Sequence, residues 1–238
     1  MLEPINLAES EYRSLPRIAN SDLTELHFLQ MGYAVRPIYP STAQFGTTFH
    51  QLILEPDKPV DWQLHPEKQR TDLAHMQRAW QYFLSLYKDK GPFTFTSTEQ
   101  ILLFDQPSPT GTVACKAKLD AIGFYRDQPW VVDLKTTSAA SLKEFVKCFD
   151  KYDYDRQAAF YLDALSLKLE QPLRNNVYFI GLQKQRPYHV YVVDMNQHPR
   201  MLQIGRQKYQ TLLRKASLEL ANPTGWRPSA WQRTSQGL

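Results

Sequence analysis

Residues 113–136 read VACKAKLDAIGFYRDQPWVVDLKT, and the fold turns on how that stretch pairs with itself. Strand-favouring residues from Val113 to Tyr125 and from Trp130 to Thr136 predict two β-strands, with Arg126-Asp127-Gln128-Pro129 as the turn between them. With Asp127 and Gln128 as a two-residue loop, Asp120 lies opposite Lys135 and Ile122 opposite Asp133. Side chains alternate along a strand and opposed residues share a face. This register therefore gathers Asp120, Asp133 and Lys135 on one side, preceded there by Lys116 and Lys118. Leu119, Ala121, Val132 and Leu134 take the other side. A slip of one residue would separate the charged trio, so the expectation is a hairpin with one face a polar site and the other core.

Two carboxylates beside an amine are the parts that metal-assisted phosphodiester hydrolysis requires. Hard oxygen ligands suit Mg²⁺, with Mn²⁺ as a substitute, and such ions bind through one or two carboxylates and phosphate oxygens. An ammonium such as that of Lys135 can hold the attacking water or offset charge building on phosphorus. The same trio also fits a structural ion pair on a solvated sheet face. The apolar run Trp130-Val131-Val132 favours the site, because it delivers Asp133 straight out of a core strand, where a charge is costly to keep.

Around the hairpin stand four separated motifs: Gly46-Thr-Thr-Phe-His50, Lys118-Leu-Asp120, Val131-Val-Asp133-Leu-Lys135-Thr-Thr137 and Tyr154-Asp-Arg-Gln157-Ala-Ala-Phe-Tyr161. In this order and rough spacing the chain resembles, over about residues 10–195, the RecE-like (exodeoxyribonuclease VIII type) exonucleases of the PD-(D/E)xK nuclease superfamily. The resemblance implies an α/β restriction-endonuclease-like core, a mixed central sheet flanked by helices. It implies Asp120, Asp133, the Leu134 carbonyl and His50 as metal ligands, Lys135 as the catalytic lysine, and Gln157 and Tyr161 completing the site. Asp120 follows Leu119 where the motif's name has a proline, an ordinary departure for the superfamily. Glu99, on the strand before the hairpin, is a secondary acidic candidate.

Read without the family, Gln157 and Tyr161 are four apart on a predicted helix over 155–169, so both leave one face. A surface glutamine and a half-buried tyrosine fit that pattern equally. His50 sits at the edge of the Phe45, Phe49, Leu52, Ile53 stripe, where a boundary histidine is the commoner case. Lys116 and Lys118 share the face of the trio and are the candidate DNA-phosphate contacts.

The 238 residues, 42% of them hydrophobic, can build one substantial core, and a single nuclease domain over 1–238 is expected: a helical part to about 90, a metal-binding core to about 195, then a basic helix and tail. Two cysteines, Cys115 and Cys148, make a zinc site or a four-cysteine iron–sulfur cluster improbable, which disfavours the cluster-bearing branch of the same superfamily. No apolar run approaches the roughly 18 residues of a membrane span, no basic stretch leads into an apolar run near the N-terminus, and no phosphate-cradling G-x-x-x-x-G-K-[ST] loop occurs. A cytoplasmic protein with no membrane association is expected. The net charge of +4 is unevenly placed, with seven Lys or Arg residues against Glu219 alone from Arg200 onward. Such a cluster suits phosphates or merely a solvated helix, and the last dozen residues read as a loose tail.

Further helices are expected over 21–30 with Ser21 as N-cap, 41–54, 68–88, about 142–149 and 199–220, and strands over 99–104, 176–183 and 188–194, with a turn near Arg186-Pro187 and a connector over 32–40. What the resemblance implies is a Mg²⁺-dependent exonuclease that degrades one strand of duplex DNA from its end, 5′ to 3′. It also implies a ring-like homo-oligomer and a single-strand annealing or recombination partner, with a phage origin by family habit. Two rival readings stand beside it: a catalytically silent DNA-end-binding module, and an endonuclease or single-strand nuclease of the same superfamily, since a shared metal core says little about substrate form.

Overall fold

The strand-forming runs assemble a five-stranded sheet in chain order: β1 (Phe95–Ser108), β2 (Gly111–Tyr125), β3 (Gln128–Thr137), β4 (Val177–Gln183) and β5 (Val190–Asp194). This is a computed structural model, and it describes residues 2–33 and 39–232. β1, β2 and β3 form an antiparallel meander, β4 joins β3 in parallel, and β5 runs antiparallel to β4. The parallel step is bridged by two helices, α5 (Leu142–Lys151) and α6 (Tyr154–Lys168), as a crossover of a dozen or more residues allows. The remaining helices are α1 (Glu9–Ser14), α2 (Asn20–Gln30), α3 (Pro40–Leu54), α4 (Glu67–Tyr87), α7 (Pro199–Ala221) and α8 (Ser229–Gln232). The architecture is the expected α/β one, a mixed sheet flanked by helices. Among the described residues no helix is long and apolar enough to cross a membrane.

Both faces of the sheet are covered. On one, Phe45 and Phe49 of α3 and Leu73, Met76, Trp80 and Phe83 of α4 pack on Ala121, Val132, Leu134, Ile180 and Leu182. On the other, Phe145 and Phe149 of α5, Phe160, Leu162 and Leu165 of α6 and Leu213 of α7 enclose Ile122, Val131, Val177 and Phe179. A fully buried Phe or Leu contributes about 1.5–3 kcal/mol, so these two layers, more than helix propensity, fix where the helices lie. The expectation of one core face and one open polar face is corrected: the polar trio lies in a gap within a covered face. Leu119, expected beside Ala121, belongs to the other core, since β2 parts from β3 after the Ala121↔Val132 pair.

The hairpin register also differs from expectation. Tyr125 pairs with Gln128 and Ile122 with Val131, so the loop is Arg126-Asp127, both at positive φ, 51° and 57°. Two central residues of that conformation match the twist of a tight hairpin. The shift is two residues, an even number, so the side chains of the paired stretch keep their predicted faces. Asp120, Asp133 and Lys135 remain on one side.

Element ends follow local chemistry. Ser141 accepts from the Glu144 amide (3.2 Å) and starts α5. Ser21 does not cap α2; the Asp22 carboxylate instead accepts from the Ala19 amide (2.8 Å). The C-terminal segment is not loose through Ser229. The Trp226 indole and Ser229 hydroxyl both donate to Glu25, at 3.0 and 2.6 Å, while Arg227 donates to the Leu220 and Asn222 carbonyls closing α7. Much of the basic surplus of α7 is engaged internally, Arg206 with Asp163 (2.7 Å) and Lys208 with Asp155 (2.9 Å). Residues 34–38 of the expected connector and 233–238 of the expected tail lie outside the described residues.

Candidate active site

Asp120 stands where β2 leaves β3. Its Oδ2 accepts from the Leu134 amide at 2.8 Å, so a side chain takes up a backbone donor just beyond the last ladder pair. Burial pushes its pKa up, against the opposing pull of Lys135. Across β1, Glu99 falls between the pairs Thr98↔Ala121 and Gln100↔Leu119, in the row of Asp120. Glu99 has φ 51°, a left-handed conformation rare for glutamate and costly by about 1 kcal/mol or more. Strain held inside a strand points to a functional demand on that side chain.

His50 reaches the same place from α3. Its Nε2 lies 3.0 Å from the Leu134 carbonyl, which can only accept, so Nε2 carries the proton and Nδ1 presents a lone pair. That lone pair faces Asp120 Oδ1 at 3.6 Å. Burial, reinforced by Lys135, holds the imidazole pKa below its usual value and favours the neutral ligand form. Ligand atoms of His50, Glu99 and Asp120 all lie within 4.8 Å of one another. An imidazole lone pair and two carboxylates converging at this spacing fit a divalent cation, Mn²⁺ as readily as Mg²⁺. A cation held by His50, Glu99 and Asp120, with Asp133 close by, would supply positive charge beside a phosphodiester and acidify water there.

Asp133 is 1% exposed. Its Oδ2 accepts from the Gln157 amide at 2.8 Å, and its Oδ1 pairs with the Lys135 ammonium. Burial pushes its pKa up to about 6, Lys135 opposing and Asp120 assisting. Lys135 is disfavoured as a cation by burial, but Asp133 and Asp120 outweigh that and raise its pKa, so it is an ammonium at neutral pH. Beneath it lie the rings of Tyr154 and Phe179, 5.2 and 5.5 Å from Nζ. Lys135 can therefore hold a phosphate oxygen or orient a water, and it is poorly suited to remove a proton.

Gln157 and Tyr161 leave α6 on the same side; Tyr161 is half-buried, its pKa well up chiefly through desolvation, beside Gln157 and the two aspartates. The buried Arg156 ties this helix to α2 through Asn20 (3.0 Å) and Thr24. The structure thus brings together His50, Asp120, Asp133, Leu134, Lys135, Gln157 and Tyr161. Lys118 lies at the margin, paired with Glu9 (3.0 Å) and Glu99.

Lys116 is not brought to the site, which corrects its assignment to DNA. It is 2% exposed, and its ammonium donates to the carbonyls of Tyr12, Arg13 and Leu15 at 2.8, 2.8 and 2.9 Å. The Leu134 carbonyl, expected as a ligand, is engaged by His50. Two residues matter more than their sequence context suggests. Glu99 shows there only as an acid on a neighbouring strand, and Tyr154 only as the first letter of its motif.

Two clefts meet at His50. One, of about 890 Å³, runs past Lys135 along α5; the other, of about 590 Å³, holds Glu99, Asp120 and Lys118 beneath the N-terminal segment.

A protein-family profile described as a PDDEXK-like domain of unknown function (DUF3799) matches residues 43–220, which include every residue of this constellation. The chain is similar in structure to a protein of Eubacterium rectale provisionally named an exonuclease, with TM-score 0.54 and 14% identity over 98% of this chain and 100% of that one. At that identity the likeness is one of fold. A second solved structure, that of SSO0001, gives TM-score 0.30 at 14% identity over 79% of this chain and 84% of its own, too low to argue from. No protein of curated description matches the chain.

Proposed function

Because the chain belongs to the PDDEXK-like domain family DUF3799, we propose that it is a divalent-metal-dependent exodeoxyribonuclease acting on duplex DNA ends. It degrades one strand, 5′ to 3′, and leaves single-stranded DNA for an annealing or recombination partner. That polarity, the ring-like homo-oligomer, the recombination role and the cytoplasmic setting follow from the RecE-like resemblance alone. The observation that carries the hydrolytic reading is the His50, Glu99 and Asp120 donor set beside the buried Asp133–Lys135 pair. A structural ion pair explains neither the strained Glu99 backbone nor an imidazole lone pair aimed at a carboxylate.

Within this reading the residues divide the work. His50, Glu99 and Asp120 hold the cation, Asp133 joins them, and Gln157 keeps the Asp133 carboxylate oriented. Lys135 places its ammonium against the reacting phosphate, where charge builds in the transition state. Mg²⁺ or Mn²⁺ suits such donors.

Linear duplex and covalently closed circular DNA, each incubated with Mg²⁺, Mn²⁺ or EDTA, test the reading with wild type and Asp133→Ala side by side. Metal-dependent loss of only the linear DNA, absent in the variant, is expected. Cutting of the circle would make the protein an endonuclease. Intact DNA in every lane would leave a silent end-binding module.

A further inference from the structure

The lysines flanking the candidate site differ in how they are engaged. Lys116 and Lys118 are committed to carbonyls and carboxylates. In the 890 Å³ cleft, Lys147, Lys151 and Lys184 form no ion pair among the described residues, and the sole acid lining it is Glu144. Lys147 and Lys151 are one turn apart on α5, so they project together; Lys184 is placed opposite by its amide, which donates to the Thr137 carbonyl at the end of β3 (2.9 Å). Tyr152, 54% exposed, lines the same cleft, with the Lys151 ammonium 5.1 Å from its ring and the Tyr154 ring, itself beside Lys135, 5.6 Å away. The smaller cleft beyond His50 has the opposite balance, with Glu9, Glu55, Glu99 and Asp120 against Arg13, Lys58 and Lys118.

We infer that the larger cleft is the track for a single strand of DNA, held by its phosphates on Lys147, Lys151 and Lys184 with a base stacked on Tyr152. Unpaired ammoniums alternating with an exposed aromatic ring are the composition of a single-strand site, because an unstacked base offers the ring a face. A duplex keeps its base faces covered and gives Tyr152 nothing except at an end. The cleft has a volume of about 890 Å³. It opens onto Lys135 and His50, so a strand lying in it presents a phosphodiester to the candidate site. The inference rests on the nuclease reading for its orientation, but the binding it asserts stands apart from hydrolysis.

The test is fluorescence anisotropy of a labelled oligothymidylate with the full chain in EDTA, competed by unlabelled single strand or by duplex with hairpin-closed ends. Wild type is expected to bind, with single strand the better competitor. Lys147→Ala/Lys151→Ala should weaken binding tenfold or more and lower the log–log salt slope by about 1.4, at roughly 0.7 for each phosphate no longer neutralised. Tyr152→Ala should weaken it by roughly fivefold or more at unchanged salt slope, and Tyr152→Phe should restore it. These side chains are exposed, and unchanged melting temperatures confirm intact folds. Wild-type affinity in the variants, equal competition by closed duplex, or no binding by any form each overturns the inference. Hydrolysis is scored separately in Mn²⁺. Lysine-dependent binding without any hydrolysis would overturn the nuclease reading alone, and hydrolysis abolished by Asp133→Ala with binding indifferent to the lysines would overturn this one alone.

Discussion

Lys116 and Lys118 leave β2 two residues apart and end in unlike surroundings, which shows how much of a charged residue's role is decided by what packs above it. Lys116 gives α1 the donor its terminal carbonyls lack. Lys116→Met should therefore cost about 1–3 kcal/mol, because it strips three part-buried carbonyls of their donor, and leave the salt dependence of DNA binding unchanged. Chemical denaturation and binding titrations check the two halves; a changed salt slope would return Lys116 to the phosphate-contact role. At the metal centre the prediction concerns affinity. Mn²⁺ should raise the melting temperature of the wild type, and Glu99→Gln or His50→Ala should need at least tenfold more ion for the same rise, as calorimetry would read. If Glu99→Gln titrates like wild type, Glu99 is only a partner for Lys118. Lys135→Ala should reduce hydrolysis at least a thousandfold while Mn²⁺ still binds, because the ammonium acts on the phosphate and not on the ion. Single-turnover rates measured beside a metal titration separate those effects.

Among the elements, the tightest constraint is where α7 crosses α6. A Cβ at Gly205 would sit 1.9 Å from the Asp155 carbonyl oxygen, so the two backbones meet there without room for a side chain. Gly205→Ala should destabilise by about 1–3 kcal/mol despite alanine's better helix propensity, and a melting curve at or above wild type would show that the crossing is looser than this. Because α6 carries Gln157 and Tyr161, the same variant should also lose activity before it unfolds. Helices and strands are readable in the sequence wherever a pattern is clean: the Leu73, Met76, Trp80 and Phe83 stripe of α4, and the apolar run Trp130-Val131-Val132 passing into the alternation Val132-Asp133-Leu134-Lys135. The hairpin register is not, because Arg126-Asp127 lacks the glycine or asparagine that usually marks such a turn, yet parity preserves the faces. The six-residue α1, with no buried residue of its own, leaves no periodic trace, and the fate of Lys116 is invisible with it. The left-handed backbone that turns Glu99 inward is a tertiary effect. His50 is identified through the family resemblance, its neighbours in sequence describing only a core helix.

Taken whole, the molecule keeps acids in places where water is scarce, and outside the candidate site the plainest example is Asp22 at the start of α2. It is 5% exposed, accepts from the Ala19 amide, and feels the charges of Lys116 and Arg13, which favour its carboxylate, and of Glu25, which opposes it. Burial dominates, and its pKa is pushed up to about 6 from an ordinary 3.8. A carboxyl whose folded pKa exceeds its unfolded one binds its proton more tightly when folded. Its contribution to stability is fully present below about pH 4 and is lost as pH rises through about 6. Asp22→Asn keeps an oxygen to accept from Ala19 but carries no charge. The variant should melt higher than wild type at pH 8, and the gap should shrink through pH 6 and close below pH 4. Paired thermal melts across that range decide it. A gap that instead widened toward acid would mean that Lys116 and Arg13 stabilise the Asp22 carboxylate more than burial penalises it, and that the N-terminal arm of the molecule is held by charge and not in spite of it.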